Sequence, residues 1–216
     1  MHAMGRRASW LTGAAVVAAA GGSAFAFVST ASGSQTTVTS TISADSSQVS
    51  AVKSAFTAAI TADRQAQAPA TTTYGAKANA AVSAGGVAPA VASDVRQAQL
   101  QDGKASLAKY FTPAQAKHEA LGLTNAVNAE ADPKFRNLGS GVSKVVYDQV
   151  AVSGDTATLR AEVTAWAKFQ QQQSNGAWTT DNPVAVMIYS VTMVRNASGQ
   201  WQVSSMVGDF APGEGP

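Results

Sequence analysis

From Thr156 to Phe169 apolar and polar residues alternate without a break. Ala157, Leu159, Ala161, Val163, Ala165, Ala167 and Phe169 form one apolar face. Thr156, Thr158, Arg160, Glu162, Thr164, Trp166 and Lys168 form the other, which is polar except for Trp166. Side chains along a strand point alternately to opposite faces, so this period of two requires a strand with one buried and one wet face. At ~3.3 Å per residue it would run ~46 Å, so it is expected to bend. The buried face is mostly alanine, which lets helices come close.

The neighbouring segments extend this strand into a meander. Gly139-Ser140-Gly141 breaks the pattern, and Ser143 to Val152 reads as a strand ending in the turn Ser153-Gly154-Asp155. A polar hairpin follows with Asn175-Gly176 as its turn, and the Gln170–Gln173 run within it is expected to be solvated. Val184 to Arg195 and Trp201 to Val207 are further strands, joined by a turn over Asn196 to Gly199.

The helical signals come earlier in the chain. Asp45 and Gln48 have capping-box spacing, and Val49, Val52, Phe56, Ala59, Ile60 and Asp63 mark one helical face. Ser93 is expected to cap a second helix carrying Val95, Leu100, Leu107, Tyr110 and Phe111, with Gly103 costing about 1 kcal/mol inside it. Thr112-Pro113, with Gln115, starts a third helix bearing Ala116, Ala120, Leu123, Val127 and Glu130. Helices first and strands afterwards predict an α+β fold: N-terminal helices packed on a bent antiparallel sheet of about four or more strands.

The N-terminus reads as an address. Arg6-Arg7 precedes the uncharged run Trp10 to Val28, and Ala24-Phe25-Ala26 fits a cleavage site before Phe27. The rival reading is an uncleaved membrane anchor. Either places the remainder outside the cytoplasm, secreted or tethered. The expected division is an export segment or anchor over 1–28, a Ser/Thr-rich linker over 29–47 and a helix over 48–67. An Ala/Thr/Gly-rich surface insertion (68–92), a cone-like α+β domain (93–211) and a tail (212–216) follow. A structureless loop of ~25 residues is uncommon. The first helix is therefore alternatively an outrigger, with the domain starting near Pro89.

Composition removes several functions. Of the 216 residues only 13% are charged, and the net charge is +2. Arg6 and Arg7 supply that excess, so no basic surface for nucleic acid is expected. There is no cysteine, and His118 is the only histidine after His2, which leaves no zinc constellation. No phosphate-binding glycine loop and no G-x-S-x-G elbow is present. No metal and no cofactor is expected. Asn196-Ala197-Ser198 matches a glycosylation acceptor by pattern.

The strand-turn-strand VVYDQVAVSGDTATLRAEVTAW and the closing GQWQVSSM resemble the nuclear transport factor two-like superfamily, as does Leu107 to Thr112 at the end of an early helix. The resemblance covers roughly 93–211 and implies a cone, a bent sheet wrapped around helices. With the export segment and stalk, the chain also resembles exported actinobacterial envelope proteins, including those accessory to mammalian-cell-entry transport.

Enzymes of this superfamily, such as ketosteroid isomerases and polyketide cyclases, place Asp, His or Tyr inside the cone to move a proton. The candidates are His118, Asp148 and Asp209, each of which also fits a surface or turn position. Tyr147, Tyr189 and Trp201, with Met187 and Met193, line either a pocket or the core. Arg160 and Glu162 share a strand face and fit solvated pairing, either with each other or across the sheet. Trp166, aromatic on a wet face, fits a contact surface, a sheet edge or a neighbouring protomer. The expected function is an exported, non-catalytic module that binds an envelope protein or a small apolar ligand, with a homodimer also allowed. The alternative is an extracytoplasmic isomerase, cyclase or dehydratase.

Overall fold

The computed structural model describes residues 45–69 and 74–214. The export segment and most of the linker expected upstream lie outside the described residues. Four helices come first: α1 (Ser46–Ala66), α2 (Ala76–Ser83), α3 (Ser93–Tyr110) and α4 (Pro113–Ala129). Five strands follow: β1 (Phe135–Ser153), β2 (Thr156–Gln172), β3 (Trp178–Asp181), β4 (Val184–Arg195) and β5 (Trp201–Phe210). They form one antiparallel sheet in the order β1-β2-β4-β5, with β3 paired to the end of β2. Among the described residues no helix is long and apolar enough to cross a membrane.

The alternation in β2 does what its period requires. Ala157, Leu159, Ala161, Val163 and Ala165 are buried beneath the helices, whereas Thr156, Thr158 and Arg160 are exposed. Three register shifts in β1, at Asn137/Gly139, Val142/Lys144 and Tyr147/Gln149, break its ladder with β2. Such irregularities bend a strand and increase its local twist. The result is the α+β cone expected from the sequence, helices packed on one face of a curved sheet.

Helix α1 begins where its cap predicts, with the Asp45 carboxylate accepting from the Ser47 N–H at 3.1 Å. It is a principal core helix. Val52, Phe56, Ala59 and Ile60 are completely buried in one cluster with Leu107, Leu123, Tyr189 and Val203. The outrigger reading therefore does not hold. Nor is the 68–92 stretch without structure. It contains α2 and a second small core of Tyr74, Ala78, Ala88 and Val91 against Leu138. Gln170 secures this stretch, accepting from Ala88 N at 2.8 Å and donating to Gly86 O at 3.1 Å. The expectation of a solvated Gln170 was wrong because its amide supplies the backbone partners this segment lacks.

Two glycines are explained by close approach. A Cβ on Gly103 would stand 2.6 Å from Leu123 Cδ2 and 3.3 Å from Ala66 Cβ, so α3 can pack against α4 and α1 only without one. Its cost in helix propensity is the condition of that packing. Gly141 lies opposite Trp166, whose ring atoms would be 2.9–3.0 Å from an added Cβ. Strand β1 consequently begins at Phe135 and runs through the supposed breaker. The glycines are covered by the ring, which replaces the side chains they lack.

Gly141→Val should cost about 1–3 kcal/mol through overpacking. Trp166→Ala in the same chain should recover part of that loss, because the clash is with the indole. Urea unfolding of both variants and the double variant measures the coupling; strictly additive losses would mean that the ring does not cover Gly141.

Candidate functional site

The apolar face of α1 carries two charged side chains one turn beyond Ile60. Asp63 and Arg64 are only 3% and 4% exposed. Charges are rarely buried unless paired, and these meet Tyr189 of β4 and Glu119 of α4 inside the cone. Arg64 Nη2 donates to the Tyr189 hydroxyl and lies 3.9 Å from Met187 Sδ. Arg64 Nε is 3.7 Å from Asp63 Oδ2. Gln67 Nε2 donates to the same carboxylate at 3.4 Å, and Gln115 Nε2 donates to Glu119 Oε1 at 2.6 Å.

Burial opposes every charge here. It raises Asp63, with the Arg64 cation and the Gln67 bond pulling the other way. It raises the Tyr189 phenol against the same cation. Burial would lower Arg64, but Tyr189, Asp63 and Glu119 outweigh it and the guanidinium is held charged. Glu119 is pushed up to about 7 by burial and then by the Asp63 charge, against Gln115 and Arg64. Glu130, at the end of α4, is likewise pushed up to about 7 by burial.

A carboxyl that holds its proton more tightly when folded loses stabilisation as pH rises through its folded pKa. Stability should therefore decline between pH ~4.5 and ~7 and level off above, with a slope of up to about 1.4 kcal/mol per pH unit for each of the two carboxyls. Urea titrations across that range test this. Glu119→Gln should remove part of the slope, and an unchanged slope would mean that Glu119 is solvated.

An acid near neutrality beside a cation and a phenol has the components of proton transfer. Asp63, Arg64, Glu119 and Tyr189 are nevertheless all buried. The cone interior is filled by Phe56, Ile60, Leu123, Tyr189 and Met193, all essentially without exposure. Two depressions among the described residues lie elsewhere. One, of about 380 Å³, is lined by Lys104, Ala116, Lys117, Ala120, Leu121 and Thr124. The other, of about 570 Å³, lies between α1 and α3 and includes Thr57, Thr61 and Tyr110. None of Asp63, Arg64, Glu119 and Tyr189 lines either depression. Among the described residues no group of three His, Asp or Glu side chains is placed to hold a metal.

The residues singled out from the sequence scatter. His118 and Asp209 are exposed. Asp148 is half-exposed and pairs with Arg160 at 3.5 Å, so Arg160 pairs across the sheet and not with Glu162. None of the three acid–base candidates enters the cone. Tyr147 fixes α1 to β1 through hydrogen bonds to Thr57 Oγ1 (2.7 Å) and Lys53 O. Trp201 is buried under the Arg195 guanidinium, 4.8 Å from its ring centre. Met187 and Met193 are core. Of these residues, Tyr189 and the Met187 sulfur beside it belong to the interior cluster. Asp63 and Glu130 carried a signal, being polar residues in otherwise apolar helical faces. Arg64 and Glu119 were not singled out, although each lies one turn from an apolar position of its helix.

No protein-family model matches the chain, and no curated protein matches it in sequence. Several solved structures are similar to it. One is an NTF2-like protein involved in plasmid conjugation, at 13% identity and a TM-score of 0.31, over 51% of this chain and 39% of that one. Another is CagV, a VirB8 homologue of the T4SS from Helicobacter pylori, at 12% identity and 0.35, over 52% and 82%. A third is a ketosteroid isomerase-like protein from Erwinia carotovora, at 14% identity and 0.30, over 64% and 97%. The match spans well under half of the conjugation protein. Likeness at this level says nothing about role.

Proposed function

We propose that the chain is an extracytoplasmic, non-catalytic module that binds a partner protein. The observation that carries this reading is the packed interior of the cone, where Phe56, Arg64 and Tyr189 are buried and Arg64 donates to the Tyr189 hydroxyl. The same packing favours a protein over a small apolar ligand. The extracytoplasmic part rests on Arg6-Arg7, the uncharged run and Ala24-Phe25-Ala26.

The outer face of the sheet is the surface best suited to a partner. Val146, Val184 and Val207 are exposed there. Cross-strand pairing puts them on the same face as Trp166 and Glu162: Val146 lies opposite Glu162, Val184 opposite Trp166, and Val207 opposite Ser190, itself opposite Arg160. Exposed apolar groups among paired charges give a surface both apolar and selective.

The test is purification of the full chain from its native envelope. A stoichiometric partner, lost in a Val184→Glu/Val207→Glu variant that still folds, is the expected result. The N-terminal residue and membrane partition of the same material test its location. The alternative, an isomerase, cyclase or dehydratase, rests on Glu119 alone. Robust turnover of a small molecule, abolished by Glu119→Gln, would replace the binding reading with it.

A further inference from the structure

A second buried polar cluster lies where α1, α3, α4 and β1 meet, away from Arg64. Its centre is Glu130, the C-cap of α4, only 2% exposed. Gln99 Nε2 donates to Ala66 O and to Glu130 Oε1, both at 3.2 Å. Asn137 Nδ2 donates to Gln67 O at 2.7 Å and to Glu130 Oε1 at 2.9 Å. Each amide has two N–H groups, and all four are now used. Two acceptors remain, Glu130 Oε2 and Gln99 Oε1, buried and without a donor among the described residues.

One proton would change this balance. On Oε2 it removes the negative charge from a buried oxygen that has no donor among the described residues. The setting favours it, because Glu130 stands at the C-terminal end of α4 and shares donors with the last carbonyls of α1. Helix C-termini carry partial negative charge and disfavour an anion. We infer that Glu130 is a proton-operated latch: protonated, it seals the junction of α1, α3, α4 and β1, and on losing its proton it loosens the adjoining 74–92 segment.

That segment is the element poised to respond. It is held through Leu138, next to Asn137, and through Tyr74, Ala88 and Val91 in the small core. The other groups facing Glu130 are few. Arg96 of α3 favours the anion, but Nη1 is engaged by Val91 O. Tyr74 is near enough for its phenol to be affected, and burial first, then Glu130, pushes that phenol up to about 12 against Arg136 of β1. From α1 the facing groups are the Ala66 and Gln67 carbonyls. The upward displacement of Glu130, to about 7, agrees with the hydrogen-bond count.

The test is hydrogen exchange of the full chain between pH 5.5 and 8.5, corrected for intrinsic rates. Protection over 74–92 should fall by up to about tenfold for each pH unit as pH rises toward about 7 and level off above it, the response of a one-proton latch. Glu130→Gln places an N–H where the acid carries its proton, so its protection should stay flat. Protection that is independent of pH in the wild type, or the same fall in Glu130→Gln, would overturn the latch. Should that variant not fold, carbon-13 titration of the wild-type Glu130 carboxyl decides. A carboxyl still protonated at pH 6 supports the proposal, and one ionised throughout the range refutes it.

Discussion

Arg64→Met should destabilise the protein by about 3–5 kcal/mol, the usual cost of removing one partner from a buried ion pair. Arg64 is the cation facing Asp63 and Glu119 inside the cone, and it also donates to the Tyr189 hydroxyl. Without it both acids and the phenol remain in apolar surroundings. The sign with pH follows. Both carboxyls already bind protons more tightly folded than unfolded, and Arg64 opposes that tendency. Its loss raises both further, so the variant loses more stability than the wild type as pH rises above about 4. The deficit should therefore be larger at pH 8 than at pH 5. Adding Asp63→Asn should restore part of it, since a buried pair replaced as a unit costs far less than a broken one. Urea midpoints at the two pH values decide the matter. A loss below about 1 kcal/mol that does not change with pH would mean that water reaches the guanidinium.

What the sequence disclosed follows from which interactions are local. The alternation of β2 needs no partner to be read, because the period lies in consecutive residues. The same holds for Asp45 and for Thr112-Pro113, which start α1 and α4 as expected. The beginning of β1 was hidden because Gly139 and Gly141 are poor strand formers taken alone, and the ring that covers them lies across the sheet on β2. Gln170 looked solvated for a similar reason, since its backbone partners at Gly86 and Ala88 are remote in sequence. At the interior cluster the signal was half legible. Asp63 and Glu130 interrupt apolar faces, which marks them as buried polar groups needing partners. Those partners are set by helix packing that depends on Gly103, and no pattern along the chain records it. The acid–base candidates chosen by residue type turned outward, and of the acids that lie inside, Asp63 and Glu130 were read only as positions on a helical face.

Phe56→Ala tests the filled cone and the place of α1 together. Phe56 is completely buried at the middle of α1. Its ring lies 6.2 Å from that of Tyr147 at 75° and 6.3 Å from that of Tyr189 at 58°, tying the helix to both β1 and β4. Truncation removes these contacts and leaves a void, at a cost of about 3–5 kcal/mol. The loss should appear as one cooperative shift of the whole unfolding transition, because the same cluster contains Leu123, Val163 and Val203. A helix merely leaning on a separate domain would instead fray alone and leave the main transition in place. The void has a second consequence. An apolar cavity of this kind stays dry and accepts a small apolar guest, so the variant, unlike the wild type, should bind benzene and be stabilised by it. Benzene binding by the wild type would mean that the cone already holds an accessible cavity, and the case for a partner-binding module would lose its main support. Binding by the variant alone would identify Phe56 as the side chain that closes the cone.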